Sequence, residues 1–432
     1  MADERLRLLR RRGIETVILA GADTHGIMRG KRVPIAELDR AAEDGVALCE
    51  VIWALPVDEV EPVRRPPGHA GWFPRDGYPD MLAVPDLDTA RVVPWHDRTA
   101  LVLCDFTAQD GSAVPVAPRA VLRSVLERAR AMGVEPIVGV ELEFYLLRET
   151  PRSVLGKRPS QLEAVDERPS VYGVVAGSRH EGFAGAVRER LREFGLAVEA
   201  CNPESGPGQF EINLRAAPAL QAADEAFLLK SAVKEVAARQ GLLATFMAKP
   251  RSDWPGSSCH LHLSLGDGAD MRHFIGGLLA GMAELTALLA PTPNSYRRFV
   301  PHSWAATTAT WGTDNRSVGV RALATRVEHR QAGADANPYL AVAAALAAGL
   351  EGVRREREPP APVDGDVYAL PDAPPLPATL AEATDLLERS ALARDWLGAD
   401  AVEHCVAMRR AELAAQAEAV TDWETARYLE AL

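Results

Sequence analysis

Several common signals are missing from this chain of 432 residues. No apolar run reaches the roughly 18 uncharged residues of a membrane-crossing helix. The basic run Arg10-Arg11-Arg12 is followed by no apolar leader segment. The five cysteines, Cys49, Cys104, Cys201, Cys259 and Cys405, are scattered and form no Cys-x-x-Cys, which speaks against a disulfide framework or a zinc knuckle. Basic residues are the minority, 48 against 60 acidic ones, and the net charge of −12 disfavours nucleic acid or an anionic membrane as partner. There is no Walker motif and no Gly-x-Gly-x-x-Gly after a strand. From these absences we expect a protein that neither spans a membrane nor is secreted, with a reducing cytoplasm as its setting.

What is present is the composition of a globular protein, 47% hydrophobic and 25% charged, at a length that suggests two or three domains. Residues 5–12 read as a helix, and residues 16–20 as a strand entering a turn at Asp23-Thr24-His25-Gly26. Short strands and Pro/Gly breaks follow to about Asp110, with residues 66–77 reading as an exposed loop. From Pro118 the character changes: Val121, Leu122, Val125, Leu126 and Ala129 mark an amphipathic helix, and longer elements alternate from there. We expect an N-terminal domain over residues 1–110 and a second over 111–432, the latter ending, after the Pro-rich residues 359–377, in a helical tail. No internal repeat is seen.

Four segments carry the chemistry. In each, polar residues alternate with apolar ones at a period of two, which places the polar set on one face of a strand. Residues 138–144 align Glu141 with Glu143 opposite Val138, Val140, Leu142 and Phe144. Residues 259–265 align His260, His262 and Ser264 opposite leucines, residues 209–214 align Glu211 with Asn213, and residues 327–330 align Glu328 with Arg330. A merely solvated sheet face also alternates, but it carries Lys, Thr and Ser rather than Glu, His and Arg. Glutamates gathered with imidazoles repel one another unless a cation neutralises them, and hard oxygen donors with an occasional imidazole suit Mg²⁺ or Mn²⁺. Arg297, Arg298, Arg316, Arg321 and Arg330 add guanidinium forks suited to carboxylate and phosphate. The loop Asn202-Pro203-Glu204-Ser205-Gly206-Pro207-Gly208-Gln209 carries Glu204 and two glycines that permit close approach of a ligand.

In order along the chain stand Glu141-Leu142-Glu143-Phe144, Glu204-x-Gly206-Pro207-Gly208-Gln209-x-Glu211, His260-x-His262-x-Ser264, Asn294-Ser295-Tyr296-x-Arg298, Asp314-Asn315-Arg316 and Glu328-x-Arg330. The run Gly333-Ala334-Asp335-Ala336-Asn337-Pro338-Tyr339-Leu340 follows them. This series resembles glutamine synthetase. Upstream, Tyr78-Pro79-Asp80-Met81 and Val84-Pro85-Asp86 resemble the end of that family's N-terminal β-grasp domain, so the likeness covers nearly the whole chain.

The resemblance implies an α+β fold, with a β-grasp domain followed by a catalytic domain built as a funnel of antiparallel strands with helices outside. It implies one metal held by Glu143, Glu204 and Glu211 beside glutamate, and a second held by Glu141, His260 and Glu328 beside the phosphates of ATP. By the same likeness, Arg298, Arg330 and the backbone at Gly256 hold glutamate, Arg316 and Arg321 stabilise the transferring phosphoryl group, and Glu199, His262 and Ser264 lie on the nucleotide side with Arg316. Such proteins assemble as hexameric rings, commonly stacked as dodecamers, with each active site shared between neighbours. The implied reaction activates glutamate as γ-glutamyl phosphate, which a nitrogen nucleophile then attacks.

Two departures bear on the substrate. Where ammonia-using members carry a glutamate six residues beyond the arginine of Asn-Ser-Tyr-x-Arg, this chain has Trp304. Indole accepts no proton, but its face attracts an organic cation and its bulk is apolar. The run Ser303-Trp304-Ala305 is similar to that of the γ-glutamylpolyamine, γ-glutamylethanolamide and γ-glutamylalkylamide synthetases. The expected activity is therefore formation of a γ-glutamyl amide from glutamate and an organic amine. The alternatives are an ammonia-using glutamine synthetase or a non-catalytic relative. The loss of that glutamate leaves Asp80 and Glu50 as candidate general bases. The chain is also short between Arg321 and Glu328, which bears on the nucleotide contacts.

Overall fold

The computed structural model describes residues 2–266 and 271–432. Six strands form an N-terminal sheet: β1 (Thr16–Ala22), β2 (Met28–Pro34), β3 (Val46–Cys49), β4 (Asp80–Pro85), β5 (Arg91–Val92) and β6 (Thr99–Thr107). Their order is β2-β1-β6-β4-β3, with β5 also on β6; β1 and β6 run parallel and the other pairs antiparallel. The Val-Ile-Leu run makes β1 a buried strand. Gly30 lets β2 lie against it, because a Cβ there would fall 1.9 Å from the Leu19 carbonyl oxygen. Leu6 and Leu9, three apart on the helix Ala2–Arg11, join Val17, Trp53 and Phe106 in this sheet's own core, which runs to Ala117.

Eight strands form the second sheet: β7 (Ile137–Leu147), β8 (Val198–Pro203), β9 (Gln209–Pro218), β10 (Leu243–Thr245), β11 (Cys259–Ser264), β12 (Trp311–Thr313), β13 (Val320–Ala322) and β14 (Val327–His329). The order is β12-β13-β14-β11-β7-β9-β8, with β10 on β7. All pairs are antiparallel except β12–β13, so the antiparallel sheet expected carries one parallel pair at its edge. A three-residue strand is only about 7 Å long, so the link of residues 314–319 suffices to bring the chain back in the same direction. The α+β class with two sheets is as the sequence indicated.

Helices cover the outer face of the second sheet. Pro338–Arg354 is apolar nearly all round and almost wholly buried, as a central helix must be. Its start is set by Pro338 at the first turn and by Asn337, whose side chain accepts from the Tyr339 N–H at 3.1 Å. Small residues let it cross the helix Met271–Gly281 closely: a Cβ on Gly277 would meet the Ala348 carbonyl oxygen at 2.2 Å. The domains are tied by polar contacts. Asn337 Nδ2 donates to the Asp23 carbonyl at 2.9 Å, and Arg119 bridges Asp86, just after β4, and Asp105 of β6 to Asp224 on the helix Ala219–Arg239. The Pro-rich stretch forms no α-helix; it lies along β12, where Val363 N–H donates to the Trp311 carbonyl at 2.8 Å.

Candidate active site

The period-two pattern produces chemistry only through the way the strands pair. β7 lies between β11 and β9, so Glu141 has His260 on one side and Asn213 on the other, and Glu143 faces Glu211. β14 lies beyond β11, where Glu328 faces His262 across one pair and Arg321 across the next. His262 Nε2 comes 2.9 Å from Glu141, and His260 Nδ1 lies 3.4 Å from both Glu141 and Glu328. Glu204 arrives on the loop before β9, which closes on itself through Glu204 N–H to the Gln209 carbonyl. Gly206 packs against Tyr145: a Cβ there would sit 2.0 Å from the phenolic oxygen.

The electrostatics are those of too many carboxylates in too little water. Burial, and then the charge of Glu204, push Glu143 up to about 7. Burial together with Glu141, Glu143 and Glu204 pushes Glu211 up to about 8, and Glu204 is raised by burial as well. Two carboxylates about 5 Å apart repel by about 3 kcal/mol at an effective dielectric near 20, so the cluster favours either protons or a cation. Glu141 and Glu328 behave in the opposite way. Burial raises each, but His260 and His262 on Glu141, and His260 and Arg330 on Glu328, hold both below the usual carboxylate range.

These residues fit the divalent metals that the sequence implied. Donor atoms of Glu141, Glu211 and His260 lie within 4.8 Å of one another, as do those of Glu141, His262 and Glu328. Opposite ligands of one Mg²⁺ are about 4 Å apart. His260 Nε2 is buried with no hydrogen-bond partner among the described residues. The pairing places His262, expected on the nucleotide side, among the metal-competent donors.

Arg298, Arg321 and Arg330 gather beside the carboxylates, while Arg297 is exposed. Arg330 donates to Glu328 with one arm and to the Trp304 carbonyl at 3.3 Å with the other. Arg321 bridges Asp314 and Glu328, the latter at 2.9 Å. Arg298 is 2% exposed and donates to the Gln331 carbonyl and to Ser258 Oγ. Its shaft rests on Gly256, where a Cβ would meet Arg298 Cγ at 2.3 Å. The Nε atoms of Arg298 and Arg330 are buried without partners among the described residues, so both retain donors for an anionic ligand. Arg316 is exposed beside Trp304, in a pocket of about 660 Å³ that also includes Tyr368 and Asp366. Trp304 is 60% exposed with φ 62°, and His302 has φ 61°. Two bulky residues in the left-handed region mark a strained loop above the cluster.

Three expected residues make no hydrogen bond or ion pair with the cluster among the described residues. Glu199 is exposed on the edge strand β8. Asp80 is exposed at the start of β4, and Glu50 is buried but taken by Arg75, whose Nη2 donates at 2.8 Å. Ser264 closes β11, half-buried. Two further residues belong to the site on geometry. Gln209 Nε2 donates to Glu143 at 3.2 Å and to the Gly256 carbonyl at 3.0 Å, joining the Glu204 loop to the glutamate pocket implied by the sequence. Arg326 Nε donates to His262 Nδ1 at 3.1 Å from the tight turn joining β13 to β14. Both were within reach of the same alternation, since residues 209, 211 and 213 share a face, as do 326, 328 and 330.

The chain is similar to known proteins along nearly its whole length. Residues 115–428 match the family model described as glutamine synthetase, catalytic domain. The chain is 37% identical to a glutamate–isopropylamine ligase of Pseudomonas sp. over 98% of this chain and 96% of that one. It is 38% identical to the γ-glutamylethanolamide synthetase of Streptomyces coelicolor over 96% and 93%. The solved structure of the GmaS/ADP complex, conformation 1, superposes with a TM-score of 0.86 at 30% identity, covering 98% of this chain and 99% of that one. With likeness along nearly its whole length, this chain belongs to the glutamine synthetase family.

Proposed function

We propose that this protein is an ATP-dependent carbon–nitrogen ligase that joins the side-chain carboxylate of glutamate to an organic amine. The observation that carries the choice of amine over ammonia is Trp304: Arg330 holds its carbonyl, so an exposed indole stands where a carboxylate would be needed to bind and deprotonate ammonium. Relatives named as a glutamate–isopropylamine ligase and a γ-glutamylethanolamide synthetase support the same reading.

In this reading, Arg298 and Arg330 with the Gly256 backbone hold the glutamate carboxylate through their free Nε donors. The γ-carboxylate oxygen attacks the terminal phosphorus of ATP, giving γ-glutamyl phosphate and ADP. Arg316 and Arg321 neutralise the phosphoryl oxygens as charge builds on them. The neutral amine then attacks the activated carbonyl carbon, phosphate leaves, and the nitrogen gives up a proton. Glu143, Glu204 and Glu211, and Glu141, His260 and Glu328 with His262 nearby, would hold two Mg²⁺ or Mn²⁺ ions, whose chemistry is to polarise phosphoryl oxygens and screen the approaching anions. Glu199, His262, Ser264 and Arg316 are assigned to the nucleotide side.

Asp80 is the better candidate base, because Glu50 is already paired with Arg75. Asp80 would act in a neighbouring subunit's site, which goes with assembly into hexameric rings and dodecamers. Division of the chain near residue 110, and a cytoplasmic setting in keeping with five free cysteines, complete the reading. The test is phosphate release with ATP, Mg²⁺ and glutamate against ammonia, methylamine, ethanolamine, putrescine, spermine and aromatic amines. Turnover that saturates with an organic amine and not with ammonia is expected. Turnover with ammonia alone, or none with any of them, overturns the proposal.

A further inference from the structure

A second concavity lies away from the carboxylate cluster, between the two domains. Its volume is about 810 Å³, and none of the metal-competent residues lines it. One wall comes from β1, β2 and the turn between them, and the other from the helix Ala219–Arg239 and residues 245–247.

Two ammonium groups line the second wall. Lys230 and Lys234 are four apart on that helix and so share a face. Both look onto the Phe246 ring, with Nζ at 5.6 and 6.0 Å from its centroid. Lys230 is 8% exposed, and its ammonium donates to the Ala336 carbonyl at 3.0 Å. Neither lysine forms an ion pair among the described residues. Burial, then the charge of Lys234, lowers Lys230 to about 8, with Cys259 and Asp335 acting in the opposite sense. Lys31 and Arg32 add positive charge from the facing wall. Three carboxylates also line the cleft, Glu235 with His96 Nε2 at 3.6 Å, Asp335 accepting from Thr292 and Ser295, and Glu412, against the four cations Lys31, Arg32, Lys230 and Lys234. The rest of the lining is largely apolar, including Trp95 and Phe194, so a bare inorganic anion would leave most of the cleft unfilled.

We propose that this interdomain cleft is a binding site for a small organic carboxylate with an apolar body. The carboxylate is held by Lys230 and Lys234, and the hydrocarbon part rests on Phe246 and Trp95. Lys31 closes on the ligand from the N-terminal sheet, so occupancy joins the two domains at the corner where Ala336 and Asn337 begin the central helix.

The experiment is a fluorine NMR titration of the full chain with para-fluorophenylacetate, with para-fluorobenzyl alcohol and inorganic phosphate as comparisons. Saturable binding of one para-fluorophenylacetate per chain is expected, with the alcohol and phosphate each weaker by about ten-fold or more. Lys234→Gln, at an exposed position, should weaken binding by about ten-fold, and Lys31→Gln on the opposite wall should weaken it too. Should Lys234→Gln not fold, Lys31→Gln decides. Arg298→Lys, in the other site, should leave binding unchanged. Absence of saturation, equal binding of the alcohol, or binding lost in Arg298→Lys and kept in both lysine variants overturns the proposal. Because the readout is binding, the result is independent of whether the ligase reading holds.

Discussion

The guanidinium of Arg330 holds the main-chain carbonyl of Trp304 at 3.3 Å, and so fixes the loop that carries the indole to the polar face of the sheet. The same guanidinium pairs with Glu328, so the indole's position is coupled to the centre of the carboxylate cluster.

If the indole recognises the amine, Trp304→Ala should lower kcat/KM for the preferred amine by about 5- to 30-fold, the equivalent of about 1–2 kcal/mol of cation–π and apolar contact. KM for ATP and for glutamate should stay close to wild type, because the backbone carbonyl that Arg330 holds is unchanged. Steady-state kinetics on each substrate separately checks this, and a uniform rise in all KM values would point to loop collapse instead.

Replacing Glu211 with Gln removes one charge from a cluster that repels itself. Thermal melting in chelator at about pH 8.5, where the Glu211 carboxylate is charged, should show Glu211→Gln to be more stable than wild type, while Mn²⁺ affinity falls by at least about ten-fold and phosphate release is lost. Wild-type stability with chelator at or above that of the variant would contradict the crowding of charge seen at Glu143, Glu204 and Glu211.

The metal-free protein should lose stability as pH rises. Glu143 and Glu211 have an ordinary value of 4.5 but titrate near 7 and 8 when folded. Between these limits the folded chain binds protons that the unfolded chain has released, so the slope of unfolding free energy with pH is negative. The stabilising contribution is complete below about 4.5 and is lost as pH passes through 7 to 8. Melting temperature in chelator should therefore fall between pH 5 and pH 8.5, to an extent that saturating Mn²⁺ reduces, and metal binding near pH 7 should release protons.

Gly256→Ala puts a methyl group 2.3 Å from Arg298 Cγ, in a pocket with nowhere for the buried arginine to move. We expect destabilisation of about 1–3 kcal/mol and a raised KM for glutamate with KM for ATP little changed. Denaturant melts and initial-rate kinetics on the same preparation separate the two effects.

Much of the site is legible in the order of residues alone. Alternation is set by the backbone dihedrals of a single strand, so the shared face of Glu141 with Glu143, of Glu211 with Asn213 and of Glu328 with Arg330 follows from spacing. The helix expected over residues 5–12 appears as Ala2–Arg11, and the one expected from residue 120 as Pro118–Ala131, because apolar spacing and the absence of breakers are equally local. The family likeness added roles that spacing could not supply.

Which face meets which is settled elsewhere. Glu143 stands beside Glu211, and His262 reaches Glu141, only because β7 pairs with β9 and β11, segments tens to more than a hundred residues apart in the chain. That ordering is a competition among whole-sheet registers and burial, a non-local free energy that no single segment contains. The same holds for the engagement of Glu50 by Arg75 and for the cleft around Lys230, where two domains each supply half of a surface. Local sequence supplies the donors and the face of each strand on which they stand. Packing of the whole chain chooses their neighbours, and through burial and mutual charge it sets which of them hold a proton at neutral pH.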